Sequence, residues 1–496
     1  YRYSFGVHFG NCTAPIDDTL VCTLSMSLLS RESSQPLTEQ LAQRFVARMR
    51  DQLLVSGARL PSVRQCAQMH GVSASTVVAA YDWLVAQGWV EARPNRGFFV
   101  RDRAQRTPPA SVLAGGGVAS PPPVNASSLI RGMFHQPSAE PQPGMGVFPP
   151  DWLDADFLSA ALRKVVASPA LREASLRYGE PQGDTGLRDI LSSKLASLGL
   201  HAAPGQLITT VGATHALDII SRTLLRPGDC VMVEEPGWAI EFARLQNLGV
   251  RILPVPRLET GPDLEVVERY AQLHAPKMMV SVSVLHNPTG YGLSLPVAHQ
   301  LVNLAHRYNF HVVEDDTYGH MAPAHAVRLS VLDGLQKTIH VSGYAKILAP
   351  SWRVGYLAAP ADLKDAFLDT KLLSTLTTPV LFEKALALCL EQGAIRRHTE
   401  RLSQLLDAAR SRSVKLALAQ GCQFVAPPQG LFGWVDVGVD TDVLALRMHD
   451  AGYLLAPGSL FHADRRPGSF MRVNFASTQD DKFWLALART REALLD

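Results

Sequence analysis

Apolar residues recur every four positions at Leu41, Phe45, Met49 and Leu53, which predicts a helix over Leu41–Leu54 with one buried face. Leu60-Pro61-Ser62 offers the next helix start, and Val63–Met69 reads as a short second helix that His70-Gly71 stops. Ser73 then caps a third helix that turns Val77, Tyr81 and Leu84 inward and ends at Gly88. Two strand-like runs follow, Trp89–Ala92 and Phe98–Arg101, joined by Arg93-Pro94-Asn95-Arg96-Gly97, a hairpin with two arginines at its tip. Two short helices around a turn at Gly71, followed by a hairpin, form a winged helix-turn-helix.

The periodicity stops between Thr107 and Ser128, where TPPASVLAGGGVASPPPVNASS carries no charge and too little bulk to pack a core. We therefore divide the chain into an extension (1–35), a small helical domain (36–103), a linker (104–128) and a large domain (129–496). From Ile130 onward strand-like runs alternate with helical stretches, at Leu207–Val211, Cys230–Val233, Met278–Val284, His311–Glu314 and Thr338–Val341. This alternation predicts an α/β domain with a mainly parallel sheet, whose ligand lies beyond the carboxyl ends of the strands.

Composition narrows the class. With 47% hydrophobic and 19% charged residues over 496 positions, the chain is expected to fold as two or more globular units. No apolar run approaches membrane-spanning length, so no membrane association is expected. The net charge of +2 conceals an asymmetry, because residues 36–103 hold nine arginines, no lysine and five carboxylates, a net of +4. A basic small domain suits a nucleic-acid partner. The six cysteines are scattered without metal-ligand spacing, which suggests a reduced, cytoplasmic setting and no metal site. Asp17 and Asp18 precede the mildly apolar Val21–Leu29, a layout unlike a secretion signal, and the extension has no assigned role.

Ser73, Ala74, Ser75 and Thr76 are small enough to let the start of the third helix approach base edges, and Arg93 and Arg96 can reach phosphates or a minor groove. The run LPSVR…GVSASTVVAAYDWLVAQGWVEARPNRGFFV resembles the winged helix-turn-helix of GntR-type bacterial regulators. That resemblance implies that Arg64, Ser75, Thr76, Arg96 and Gly97 contact double-stranded operator DNA, joined by Ser73 and Arg93. Ala74 stands where many members carry Arg.

Five clusters fall at the predicted strand ends of the large domain. Gly212-Ala213-Thr214 opens a helix whose backbone N–H groups can hold a phosphate. Glu235-Pro236-Gly237-Trp238 presents an indole to a flat ring. His286-Asn287-Pro288-Thr289-Gly290 aims the Asn287 amide into the cleft, and Glu314-Asp315-Asp316-Thr317-Tyr318 follows an apolar strand, so that at least one carboxylate turns inward. The last cluster runs from Ser342 to Tyr356. Of ten lysines in the chain, Lys346 lies in a locally uncharged stretch, where desolvation favours a nucleophilic neutral amine. Arg353 supplies a planar fork for phosphate or carboxylate.

Together GATHAL, EEPGW, HNPTG, EDDTY, SGYAK…WRVGY and Met471-Arg472-Val473-Asn474-Phe475 resemble a fold-type I aminotransferase that binds pyridoxal 5′-phosphate (PLP). The resemblance implies that Lys346 forms the internal aldimine and Asp315 pairs with the pyridine nitrogen. It implies further that Asn287 and Tyr318 bond the phenolate oxygen while Trp238 stacks on the ring. Gly212, Ala213, Thr214, Ser342 and Arg353 would take the phosphate, with Tyr178 reaching it from a second subunit, and Arg472 would bind a substrate carboxylate. Gly343 stands where the family has Ser or Thr, which implies a weakened or rearranged phosphate grip. The fusion of the two domains resembles the MocR subgroup of GntR-type regulators. It implies a homodimeric transcriptional regulator that senses PLP or an amine or amino-acid effector. An active aminotransferase with an appended DNA-binding domain is the alternative, and a dimerisation scaffold with a structural PLP site is a third.

Overall fold

The computed structural model describes residues 35–50, 54, 57–93, 96–101, 142–153 and 155–495. The expected linker at 104–128 and residues 1–34 of the extension lie outside the described residues.

The small domain consists of helices α1 (Leu37–Arg50), α2 (Val63–His70) and α3 (Ala74–Ala86), then strands β1 (Val90–Arg93) and β2 (Gly97–Val100). Helix α1 begins at Leu37, four residues before the expected Leu41, with the polar Thr38, Glu39 and Gln40 in its opening turn. Ser62 and Gln65 close a reciprocal cap on α2, which ends where Gly71 takes φ +61°. The Ser73 Oγ accepts from the Thr76 N–H at 3.1 Å and so starts α3. The hairpin pairs Val90 with Val100 and Arg93 with Gly97. Tyr81 binds these pieces together. Its ring meets Phe45 and Phe98 edge-on at 5.6 and 5.0 Å, and its hydroxyl donates to the Pro61 carbonyl at 2.9 Å. Truncating so large a buried ring costs about 3–5 kcal/mol.

The large domain is built on eight strands: β3 (Leu207–Val211), β4 (Cys230–Glu235), β5 (Arg251–Leu258), β6 (Gly261–Pro262), β7 (Met278–Ser281), β8 (His311–Asp315), β9 (Thr338–Gly343) and β10 (Val354–Ala358). They lie in the order β3-β10-β9-β8-β7-β4-β5-β6. Val231, Val233 and Val280 pack into one core, while Met232, Met279 and Val312 pack into the core on the opposite face. Both faces are covered, which is why these strands read as continuous apolar runs. Strand β7 stops at Ser281, short of the expected Val284, because the Val282 N–H turns to the buried Glu234 carboxylate at 3.2 Å.

Strands β4, β5, β7, β8 and β9 are mutually parallel, and β10 runs antiparallel to both β3 and β9. Strand β3 therefore points the same way as β9, and the carboxyl ends of β3, β4, β7, β8 and β9 share one edge. Strand β10 starts at that edge. Its pairing of Val354 with Val211 and Gly355 with Gly343 sets Arg353 across from Gly212.

Helices α4 (Thr185–Ser197), α5 (Ala213–Leu224), α6 (Ala239–Asn247), α7 (Lys364–Thr375) and α8 (Thr441–Asp450) flank this sheet and the smaller one after it. The second sheet, in order β11-β12-β14-β13, is antiparallel and uses Gln423–Phe424 (β11), Phe432–Asp436 (β12), Ala456–Pro457 (β13) and Phe470–Asn474 (β14). No helix among the described residues is long and apolar enough to cross a membrane.

Candidate functional site

Helix α5 starts directly at the end of β3, with Gly212 as its first flanking residue at φ +76° and no side chain capping it. A Cβ at Gly212 would overlap the Arg353 guanidinium, so the bare backbone is what allows this cation to lie against the helix start. Arg353 donates to the Val211 carbonyl at 3.2 Å. Backbone N–H groups at a helix start and an adjacent guanidinium form an anion-binding corner. Gly343 faces this corner, since a Cβ there would sit 3.4 Å from the Ala213 nitrogen. The Ser342 hydroxyl is instead buried and donates to the Asp316 carbonyl at 3.1 Å.

Asp315 ends β8 and lines a small pocket with Trp238, Glu241, His286 and Glu234. Burial pushes its carboxyl up to about 6, against the bonds from Thr317 and with a further push from Glu241 and Asp316. No Arg, Lys or His pairs with it among the described residues. Asp316 has a different fate, an ion pair with Arg328 at 3.1 Å that serves the fold.

Lys346 follows β9. Burial, then Arg472 and Arg353, lowers its amine to about 8, with Asp315 opposing. Its Nζ donates to the Gly146 carbonyl at 2.8 Å and lies 5.8 Å from the centre of the Tyr318 ring. Burial pushes the Tyr318 hydroxyl well above its ordinary value, and its ring meets Phe432 edge-on at 5.3 Å.

Arg472, on β14, reaches the same place from the second sheet. It is buried, stacks over Phe432 and Phe461 at 4.4 and 5.1 Å, and donates to the Asn287 Oδ1 at 3.0 Å and the Gly144 carbonyl at 2.5 Å. Its Nε has no partner, and no carboxylate pairs with it among the described residues. Burial lowers it to about 10. A buried guanidinium without a counter-ion is poised for an anionic ligand. The Asn287 turn is pinned from behind, where His286 bonds the Thr289 hydroxyl at 2.9 Å and the Glu234 carboxylate at 3.2 Å. Burial alone would raise the Glu234 carboxyl, but Arg257 and His286 hold it down at about 2.

Gly212, Ala213, Thr214, Trp238, Asn287, Asp315, Tyr318, Lys346, Arg353 and Arg472 thus gather at one sheet edge. Tyr178 stands apart on the exterior, 84% exposed. Phe432, Phe461, Gly144 and Gly146 escaped the sequence reading, although the PGMG repeat of small residues hinted at close backbone approach. Lysine burial also needs correcting as a singular signal. Lys371 and Lys194 are likewise lowered to about 8 by burial, and what distinguishes Lys346 is its company.

In the small domain, Arg64, Ser73, Ser75, Arg93 and Arg96 are exposed and Gly97 takes φ +99°. Ser73 bonds the Ser75 and Thr76 hydroxyls at 2.8 and 2.7 Å, so these three act as one unit. Arg93 pairs with Glu91 at 2.7 Å and lies over Phe99 at 4.5 Å. Arg59, unremarked in the sequence, bridges to Phe99 and brings its guanidinium beside Gly97, adding a cation to the wing.

Comparison with known proteins agrees with this fold. Residues 155–489 match the aminotransferase class I and II family, and residues 37–100 match the gntR family of bacterial regulatory proteins. The HTH-type transcriptional regulator YdcR of Escherichia coli is 28% identical, covering 88% of this chain and 94% of its own. The probable rhizopine catabolism regulatory protein MocR of Rhizobium meliloti is 28% identical over 77% of each chain. Kynurenine aminotransferase of Pyrococcus horikoshii, solved with PMP, superposes with a TM-score of 0.68 at 24% identity, over 75% of this chain and 94% of that one. The chain belongs to the aminotransferase class I and II family, and the GntR-type helix-turn-helix in front of that domain gives it the architecture of a MocR-type regulator.

Proposed function

We propose that this regulator binds PLP in its large domain and reads an amine or amino-acid effector there to alter its grip on operator DNA. One observation carries the proposal. Within a single site, and among the described residues, Asp315 lacks a cation, Arg472 lacks an anion, and Lys346 is an amine lowered to about 8. That combination fits a ligand with a protonated ring nitrogen, an aldehyde and a bound carboxylate. The uncapped start of α5 with Arg353 fits a phosphate.

When bound, PLP supplies an aldehyde for an amine to condense with and a ring that withdraws electrons. Lys346 would hold it through its neutral amine, and Asp315 would keep the ring nitrogen protonated. Asn287 and Tyr318 would orient the ring oxygen, and Trp238 would cover a ring face. Gly212, Ala213, Thr214 and Arg353 would hold the phosphate, while the buried Ser342 would act only through Asp316. Arg472 would receive the effector carboxylate as a bidentate pair. Exposed Leu176, Tyr178, Leu373 and Leu376 support a homodimer in which Tyr178 serves the partner's site. On DNA, Arg64, Ser73, Ser75 and Thr76 would meet the major groove, with Arg93, Arg96 and Gly97 on the wing. A DNA partner and four free described cysteines suit the cytoplasm.

The test is a titration of the full chain, on DNA upstream of its own coding sequence, with PLP and then with candidate amines, read by gel shift and visible absorbance. A visible PLP band that leaves DNA affinity unchanged with every compound would sink the sensing role. The intact Lys346, Asp315 and Arg472 set also favours turnover as a second reading. Conversion of the bound PLP to its amine form by an amino acid would support that reading, and failure with all donors would remove it.

A further inference from the structure

The first described residues after the linker run through the candidate site. Arg472 donates to the Gly144 carbonyl, Lys346 to the Gly146 carbonyl at 2.8 Å, and Asn474 to the Met145 and Val147 carbonyls at 2.9 and 2.7 Å. Asn474 is fully buried and sits two residues beyond Arg472 on β14, so both side chains hold the same stretch from the same strand. A Cβ at Gly144 would overlap the Leu455 backbone, which leaves the strap no room to ride higher.

The other edge of the strap is joined to the segment after α8. Gly144 N–H donates to the Leu454 carbonyl at 2.8 Å, Leu454 N–H to the Gln142 Oε1 at 3.3 Å, and the Gln142 amide to the Gly452 carbonyl at 3.4 Å. Asp450 ends α8 two residues earlier and forms an ion pair with Arg48 on α1 of the DNA-binding domain. The first described residues of the large domain and the Arg48–Asp450 ion pair therefore converge on one segment, 450–455, whose partner Gly144 is held by Arg472.

We infer that Pro143–Phe148 is the strap through which the ligand acts on the DNA-binding domain. It occupies the Arg472 donor that the carboxylate of an amine ligand claims, and its release loosens the 450–455 segment that holds α1. This inference rests on the PLP-sensing reading and specifies its regulation. Arg472 can serve the strap and the ligand only in different arrangements, so the ligand shifts the balance by its unequal affinity for the two.

Two stable probes separate the cases, N-(5′-phosphopyridoxyl)-L-alanine and the matching N-(5′-phosphopyridoxyl)ethylamine, which lacks only the carboxylate. Each is added to the full chain, and amide hydrogen exchange is followed over 142–148, 450–455 and 37–50. The carboxylate probe is expected to speed exchange in 142–148 and 450–455 and to change operator affinity by about 5- to 150-fold, with the ethylamine probe leaving both near the unliganded values. Equal exchange with both probes, or none with the carboxylate probe despite its binding by calorimetry, overturns the strap while leaving PLP sensing intact. Failure of both probes to bind removes the sensing reading and the strap with it. Asn474→Ser is expected to raise strap exchange without any probe. If that variant does not fold, the two probes on the unaltered chain still decide.

Discussion

The two domains carry their chemistry at different depths. In the helix-turn-helix, Arg59, Arg64, Arg93 and Arg96 stand in water, and their effect on a partner is a sum of screened charges. In the large domain, Lys346, Asp315 and Arg472 are set by their neighbours, each shifted from its ordinary range. On the proposed reading, the exposed set would bind any phosphate backbone and rely on shape for selectivity. On the same reading, the buried set would recognise a ligand by matching several groups at once, and would distinguish small molecules that differ by one carboxylate. A regulator that reads a metabolite and acts on DNA needs both kinds of site.

The sharpest way to break this contrast is to ask whether burial alone makes a reactive amine. Lys346, Lys194 and Lys371 are all lowered to about 8 by burial. Lys346→Ala is expected to abolish retention of PLP through gel filtration, with complete loss of the visible band. Lys194→Ala and Lys371→Ala, measured the same way, are expected to keep the band in whatever fraction folds. Persistence of the band in the Lys346 variant would assign the amine elsewhere.

The second test is pH. A neutral amine is the reactive form, so the rate of PLP uptake is expected to rise about tenfold per pH unit below 8 and to level above it. Stability follows the same group in the same sense, over a higher pH window. An amine whose folded value lies below its unfolded one favours its neutral form in the fold, so the penalty for burying it is present at low pH and fades as pH rises past 8. Stopped-flow absorbance checks the first trend. A pH-independent rate would show that the ring, not the amine, limits uptake.

Much of this was legible because each signal was local. The apolar spacing at Leu41, Phe45 and Met49, the Ser62 and Ser73 caps, and strands buried on both faces all reside in short stretches. The direction of β10 was not, since Val354–Ala358 is as apolar as its neighbours and periodicity says nothing about which way a strand runs. The sequence nevertheless grouped Arg353 with the cluster, and the antiparallel start of β10 is what sets it beside Gly212. The strap at 143–148 has no period, and its role comes from bonds spanning more than 300 residues to Arg472 and Asn474. Arg59 was missed because its place beside Gly97 depends on a bridge to Phe99.

The exposed set offers a smaller effect. Arg64→Ala and Arg96→Ala are each expected to weaken binding of the full chain to specific and unrelated DNA alike, lowering the slope of log affinity against log salt by about 1. Uptake of PLP should not change in either. Gel shifts over a salt series check this, and a loss confined to one DNA sequence would mean that the residue reads bases, as a buried site would.

The smallest effect compares two helix starts. Helix α3 is capped by the Ser73 hydroxyl, whereas α5 opens from Gly212 with no side-chain cap. A cap satisfies backbone donors permanently, which suits a helix whose job is to stand firm while its side chains meet DNA. An uncapped start leaves those donors for a ligand. Ser73→Ala is therefore expected to cost the small domain about 1 kcal/mol, a fall of about 4–8 °C in its own unfolding transition. The same change should leave the large domain's transition, and its stabilisation by PLP, where they were. Calorimetry of the full chain with and without PLP resolves the two. If Ser73→Ala also lowered the PLP-stabilised transition, the domains would unfold as one unit, and the ion pair between Arg48 and Asp450 would be part of a larger continuous interface.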